Sequence, residues 1–192
     1  GLHAHISIDD IALKSNLLCL YLLFEDIILS LLPKTRRGIN FALRLSGKFH
    51  IDEIIGKSDE SLEKIWYREQ NREIIEDLKK DHYNQTRYNG INLHSYFSKN
   101  EDIEIRFHSG TTNWKKIIEW VNLHSLIFDK VSGLEISDVR ELINETEKIT
   151  DTKEKLDKLF SFIGLNDSSK AYFVERYTKF NGIKAESIDI DK

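Results

Sequence analysis

The stretch "IALKSNLLCLYLLFEDIILSLLP", residues 11–33, constrains the fold more than any other part of the chain. It is the longest apolar stretch, and it ends at the only proline, Pro33, whose ring cannot continue a helix. Lys14, Glu25 and Asp26 interrupt it, and the unbroken run from Leu17 to Phe24 falls far short of the ~20 residues that span a bilayer. It therefore predicts a buried core helix from Asp10 to Leu32, capped by Asp9 or Asp10. Leu17, Leu20, Phe24, Ile27 and Ile28 are expected to be buried, each contributing roughly 1.5–3 kcal/mol, with the helix across the back of a sheet. Cys19, alone in the chain, can form no intramolecular disulfide and reads as a small buried hydrophobe.

The sheet is predicted from two alternating segments. In "GLHAHISI" (1–8), Leu2, Ala4, Ile6 and Ile8 face one way and His3, His5 and Ser7 the other. In "DIEIRFH" (102–108), Ile103, Ile105 and Phe107 form the apolar face, while Asp102, Glu104, Arg106 and His108 share the opposite one. Same-face neighbours lie ~6.6 Å apart, two strand rises. Taken alone, Glu104 and Arg106 read as an ion pair on a solvated face, and His3 and His5 as surface histidines.

"KTRRG" after Pro33 reads as an exposed basic turn carrying Lys34, Arg36 and Arg37, whose guanidinium forks suit phosphate. Residues 39–60 mix strand and turn signals, and 61–81 read as a polar amphipathic helix or lid. "RYNGINLHSYF" (87–97) is expected to be a strand, joined to "DIEIRFH" through a hairpin turn at "SKNE". Thr112 or Asn113 can cap a following helix, in which Trp114, Ile117, Ile118, Val121 and Phe128 form a core stripe and which Gly133 ends. Beyond Ser137 the chain is helical and charged, with a helical hairpin turning at Gly164 and a loose tail from Asn181. Two units are expected: residues 1–133, and a helical extension, 134–192, packed on them.

The 192 residues suit one domain with a sizeable core, and the balance of 40% hydrophobic and 31% charged residues is that of a globular, cytoplasmic protein. A formal net charge of -4 argues against general nucleic-acid binding. There is no transmembrane segment, and the alternating start is not a signal peptide. The chain has no Met and starts at Gly1, so it is expected to be a processed or trimmed piece. No P-loop or dinucleotide fingerprint is present. A phosphate site built from a sheet face and basic side chains is the economical reading of the three segments together.

The order "GLHAHIS … LLPKTRR … RYNGINLHSYF … IEIRFHSGTTNWKKIIEWV … YFVERYTKF" resembles the amidoligases, carboxylate–amine ligases with the glutamine-synthetase fold. The combination of "NLHS" and "RFHSGT" is the specific part; His-x-His alone is not. The resemblance implies an α+β fold. In it a curved antiparallel sheet of the glutamine-synthetase catalytic type is backed by helices and followed by a C-terminal helical segment. It implies ATP and Mg²⁺ as cofactors, and small-molecule or peptide carboxylate and amine substrates joined through an acyl phosphate.

By this resemblance Glu104 is a metal ligand and Arg106 holds the substrate carboxylate or the transferring phosphoryl group. His3 and His5 contact substrate and nucleotide. Ser7, Lys34, Arg36, Arg37, Arg87, Asn92, His94 and His108 are further candidates for the ATP and substrate site. The family's Glu-x-Glu strand has no counterpart in the chain, so a missing N-terminal part or another chain is expected to complete the metal site. Two other readings stand beside this one: a non-catalytic binding or structural domain on the same scaffold, and a His-x-His nuclease with Tyr172 or Tyr177 attacking DNA.

Overall fold

The computed structural model describes residues 1–7, 11–70, 74–100 and 102–182. It is a mixed α/β structure. Strands β1 (Leu2–Ser7), β2 (Ile91–Asn92) and β3 (Asp102–His108) form an antiparallel sheet in the order β1–β3–β2. The helices are α1 (Ile11–Ser30), α2 (Ile51–Ile54), α3 (Asp59–Trp66), α4 (Ile75–Lys80), α5 (Trp114–Ser132), α6 (Ile136–Glu147), α7 (Thr152–Phe162) and α8 (Asp167–Asn181). Among the described residues no helix is long and apolar enough to cross a membrane.

Helix α1 forms where the apolar run requires it, and Leu17, Leu20, Phe24, Ile27 and Ile28 are all buried. Its proposed caps, Asp9 and Asp10, lie outside the described residues. Its polar residues are buried too, except Asp26, which is exposed. Lys14 Nζ reaches Asp59 at 2.7 Å, Ser15 donates to the Ile54 carbonyl, and Asn16 donates to the Leu134 carbonyl. Glu25 accepts the backbone N–H groups of Leu45 and Ser46. A helix apolar on every side needs neighbours on every side, and α1 packs chiefly on α2, α3, α5, α6, α7 and α8. It is thus the axis of a helical layer, and one of its neighbours, α5, also packs on β1.

Four expectations are corrected. The stripe of α5 is turned from the predicted one: Trp120, Leu123, His124, Ile127, Phe128 and Val131 face the core, while Trp114, Ile118 and Val121 are exposed. Both sets lie at helical spacing, so tertiary packing decides between them. The strand expected over 87–97 shrinks to Ile91–Asn92, preceded by a 3₁₀ turn at Gln85–Tyr88. A π-helical turn at Tyr96–Asn100 replaces the tight hairpin at "SKNE". In place of the helix or lid expected over 61–81, the described residues form α3, a 3₁₀ turn at Arg68–Gln70 and α4. The other signals hold: Asn113 accepts the Lys116 N–H at 3.0 Å, Gly133 ends α5, and Gly164 turns α7 into α8 with φ 66°.

Candidate functional site

Strand β1 alternates as its sequence requires, with His3, His5 and Ser7 exposed between half-buried Leu2, Ala4 and Ile6. His5 lies directly across from Glu104. Strand β3 is different: Ile103, Ile105 and Phe107 are buried, and so are Glu104, Arg106 and His108 on the polar positions. The expected solvated face is therefore a covered polar network. Its closure requires partners from distant parts of the chain.

Glu104 is the centre of that network. His3 Nδ1 lies 2.6 Å from its Oε1, and Asn92 Nδ2 donates to its Oε2 at 2.8 Å. Arg106 Nη1 donates to both oxygens at 2.8 Å. The Arg106 Nε donates to the Phe41 carbonyl at 3.2 Å, and its backbone N–H donates to the Gly90 carbonyl at 2.8 Å. Burial alone would raise the Glu104 carboxyl. The hydrogen bonds from Asn92 and Arg106, with the nearby charges of Arg106 and His3, outweigh it and hold the group below its ordinary range. Burial keeps His3 below its ordinary value despite the carboxylate beside it.

His5 is held differently. Its Nδ1 contacts Asp102 Oδ2 at 2.9 Å, and its Nε2 lies 3.7 Å from Glu104. Asp102 also accepts from the Ser95 hydroxyl. An imidazole donating from Nδ1 to a carboxylate presents Nε2 as its acceptor.

Beside this network opens a cleft of about 480 Å³, lined by His5, Asn92, His94, Ser95, Phe97, Ser98 and Glu104 on the sheet side. Its other wall is Glu76, Lys79, Lys80, His82 and Arg87. Lys79, Lys80 and His82 were not singled out by sequence reasoning. The signal was present in "LKKDHYNQTR", but it runs from the end of α4 through a loop into a 3₁₀ turn, and no single period fits it.

The remaining candidates are spread out. His94 lines the cleft but is buried, with Nδ1 2.6 Å from the Tyr67 hydroxyl and Nε2 3.1 Å from the Asp81 carbonyl; burial lowers its pKa. A β-bulge shifts the register between Leu2 and Ala4, so His108 pairs with Leu2. Its ring lies 5.1 Å from that of Trp120 on α5, outside the cleft. Arg36 donates to the His108 carbonyl at 3.1 Å. Arg37 donates to the carbonyls of Ser30, Leu32 and Phe180 and to Asn181 Oδ1, where it ties the ends of α1 and α8. Ser7 and Lys34 are exposed and do not line the cleft.

A magnesium centre needs several oxygen ligands in a near-octahedral shell. Both Glu104 oxygens are already covered by nitrogen donors. Among the described residues no group of three His, Cys, Asp or Glu side chains is placed to hold a metal ion. These residues do not fit a metal centre.

Fold and site together define a mixed α/β protein with a basic-walled cleft beside a buried carboxylate–guanidinium network. The chain belongs to the amidoligase family described as "putative amidoligase enzyme", whose sequence profile matches residues 1–128. That membership supports a ligase at the coarse level. No curated protein and no solved structure matches the chain.

Proposed function

We propose that this protein is an ATP-dependent carboxylate–amine ligase working through an acyl phosphate, on a sheet of the glutamine-synthetase type. The observation that carries the reading is the fixed Arg106–Glu104–Asn92–His3 network beside a cleft with cationic groups on its far wall. A substrate carboxylate oxygen attacks the γ-phosphorus of ATP. The bond to the β-phosphate oxygen breaks, and ADP leaves. The amine then attacks the acyl carbon, the carbon–oxygen bond to phosphate breaks, and inorganic phosphate leaves as the amide forms.

Arg106 and His3 lie behind the cleft lining, which Glu104 and Asn92 reach. Charge that builds on the phosphoryl oxygens needs oriented donors, and a guanidinium already fixed by Glu104 and the Phe41 carbonyl loses little freedom in supplying them as the ligand displaces the lining. Glu104 acts as a positioning residue: it orients Arg106, Asn92 and His3. His5, with Nδ1 on Asp102, takes the proton released by the attacking amine at Nε2. Mg²⁺ enters as the counter-ion of the nucleotide and is given no ligand among the described residues.

The donor-saturated Glu104 favours one second reading, a binding domain that holds the same anionic ligands without transfer. The nuclease reading gains no support, since Tyr172 and Tyr177 belong to α8 and do not line the cleft. The test is ADP release with a panel of carboxylic acids, with hydroxylamine trapping the acyl phosphate as a hydroxamate. Arg106→Lys keeps the charge and loses the fork, and turnover is expected to fall roughly 10²–10³-fold with unchanged circular dichroism. Nucleotide binding without hydroxamate for any acid would replace this reading with the binding domain.

A further inference from the structure

Helix α1 is jacketed by other helices, and the jacket opens at one place. Leu22 and Leu23 are half-buried, where the apolar residues on either side of them are buried. Leu22 lines a second cleft, of about 460 Å³, between residues 46–55 and α6. Phe49, Ile51, Ile55 and Ile143 supply the rest of its apolar surface. It shares no lining residue with the cleft beside Glu104. The wall formed by residues 46–55 is tied down: the Ser46 N–H donates to Glu25, the Phe49 ring stacks on Trp66 at 5.0 Å, and the Ile54 carbonyl accepts from Ser15.

Three charged side chains line this cleft, Asp52 from α2 and Arg140 and Glu147 from α6. His50 is the one further titratable group in the lining. Asp52 and Arg140 come from opposite walls toward the same stretch of α1, since the charges of both act on the buried Cys19 thiol. Yet among the described residues none of the three has an opposite charge within salt-bridge distance. The bland account is a pair of solvated surface charges, which contributes little. It leaves the apolar floor unexplained, where a helix covered elsewhere keeps a leucine open.

We propose that this second cleft binds a free α-amino acid with an apolar side chain, its carboxylate on Arg140, its ammonium on Asp52 and its side chain on Leu22, Phe49 and Ile143. A lone anion would meet Asp52 and Glu147, and a lone cation would meet Arg140. A zwitterion answers both signs, and an α-amino acid carries its two charges and its side chain on one carbon. The Arg140 fork matches a carboxylate bidentately. A few polar groups around an apolar surface is the usual make-up of a small-ligand site. Glu147 adds to the side that draws the ammonium and repels an acidic side chain. The site does not rest on the ligase reading.

The experiment is calorimetric titration of the protein with L-leucine and with L-phenylalanine. Isocaproate, leucinamide and glycine are titrated beside them; they lack in turn the ammonium, the carboxylate and the apolar side chain. Wild type is compared with Arg140→Gln, Asp52→Asn, Lys153→Gln and Arg87→Gln. Lys153 is exposed on α7, pairs with Asp157 and lines neither cleft, so it controls for the lost charge. Arg87 stands for the cleft beside Glu104. Wild type is expected to bind at least one of the two amino acids, and each of the three analogues roughly tenfold or more weakly. Arg140→Gln and Asp52→Asn are each expected to weaken amino-acid binding by a similar factor, and the two controls to leave it within about twofold. No binding of either amino acid by the wild type overturns the proposal. So does isocaproate or leucinamide binding as tightly as leucine, or equal loss in Arg140→Gln and Lys153→Gln. A loss in Arg87→Gln with Arg140→Gln unchanged overturns it too, and moves the amino acid to the other cleft.

Discussion

Replacing Gly90 by alanine tests whether β2 and β3 meet as closely as described. A Cβ at Gly90 would lie closer than 3.0 Å to three ring carbons of Phe107, Cε1, Cζ and Cδ1, a separation that real Cβ atoms essentially never show. The backbone of Gly90 is not left-handed, so alanine suffers no φ penalty there. Lowered unfolded-state entropy would on its own stabilise the variant by about 0.4–1 kcal/mol. Space decides the outcome. The Phe107 ring is buried, and the Gly90 backbone is pinned on both sides, with its N–H on the Leu43 carbonyl and its carbonyl on the Arg106 N–H. Neither partner can yield cheaply, and overpacking of this kind costs about 1–3 kcal/mol or more. Gly90→Ala is therefore expected to be net destabilised by about 1–3 kcal/mol, read as a lower urea midpoint at unchanged slope. Phe107→Leu removes the clashing ring. In the double variant the two losses should fall short of additivity by at least about 1 kcal/mol. A Gly90→Ala protein as stable as wild type, or strictly additive losses, would refute the packing argument.

Two further outcomes concern acid and the helix ends. The Glu104 carboxyl sits below its unfolded value, so its stabilisation is present above the unfolded pKa of 4.5 and is lost as pH falls through the folded value. Buried His124, lowered to about 3, should cost stability over the window from about 6.5 downward, because only the unfolded chain takes up its proton there. Urea midpoints should therefore fall steadily below pH 6.5; His124→Gln should flatten the upper part of that slope, and an unchanged slope would count against a buried neutral imidazole. Arg37→Met keeps the stem of the side chain but leaves the carbonyls of Ser30, Leu32 and Phe180 without this donor. About 1–3 kcal/mol of stability should be lost in thermal melts.

What the sequence made legible was local. The apolar run and Pro33 define α1 because each acts on its own segment, and β1 alternates because one of its faces is open. The covered face of β3 was not legible. Polar residues at every second position read the same whether water or Asn92 and His3 meet them. The bulge that pairs His108 with Leu2 has no glycine or proline within Arg106–His108 to announce it. The face of α5 was undecidable because Trp114, Ile118 and Val121 compete with Trp120, Leu123 and Ile127 at the same spacing. Glu104 and Arg106 were found, but as an open pair. That they belong to a closed network depends on contacts between residues as far apart as 3 and 104.

The central position of α1 bears on what counts as a separable part of this protein. The family profile ends at Phe128, near the end of α5, yet α6, α7 and α8 cover α1 as fully as α2 and α5 do. A piece cut at that boundary would leave one of the most apolar segments of the chain open along much of its length. It would also remove the Leu134 carbonyl that receives Asn16, and Arg176, which donates to the Leu31 carbonyl. The segment matched by the family profile and the folding unit therefore differ in extent. Substitutions in the last third of the chain are constrained by the need to close this helical jacket around α1.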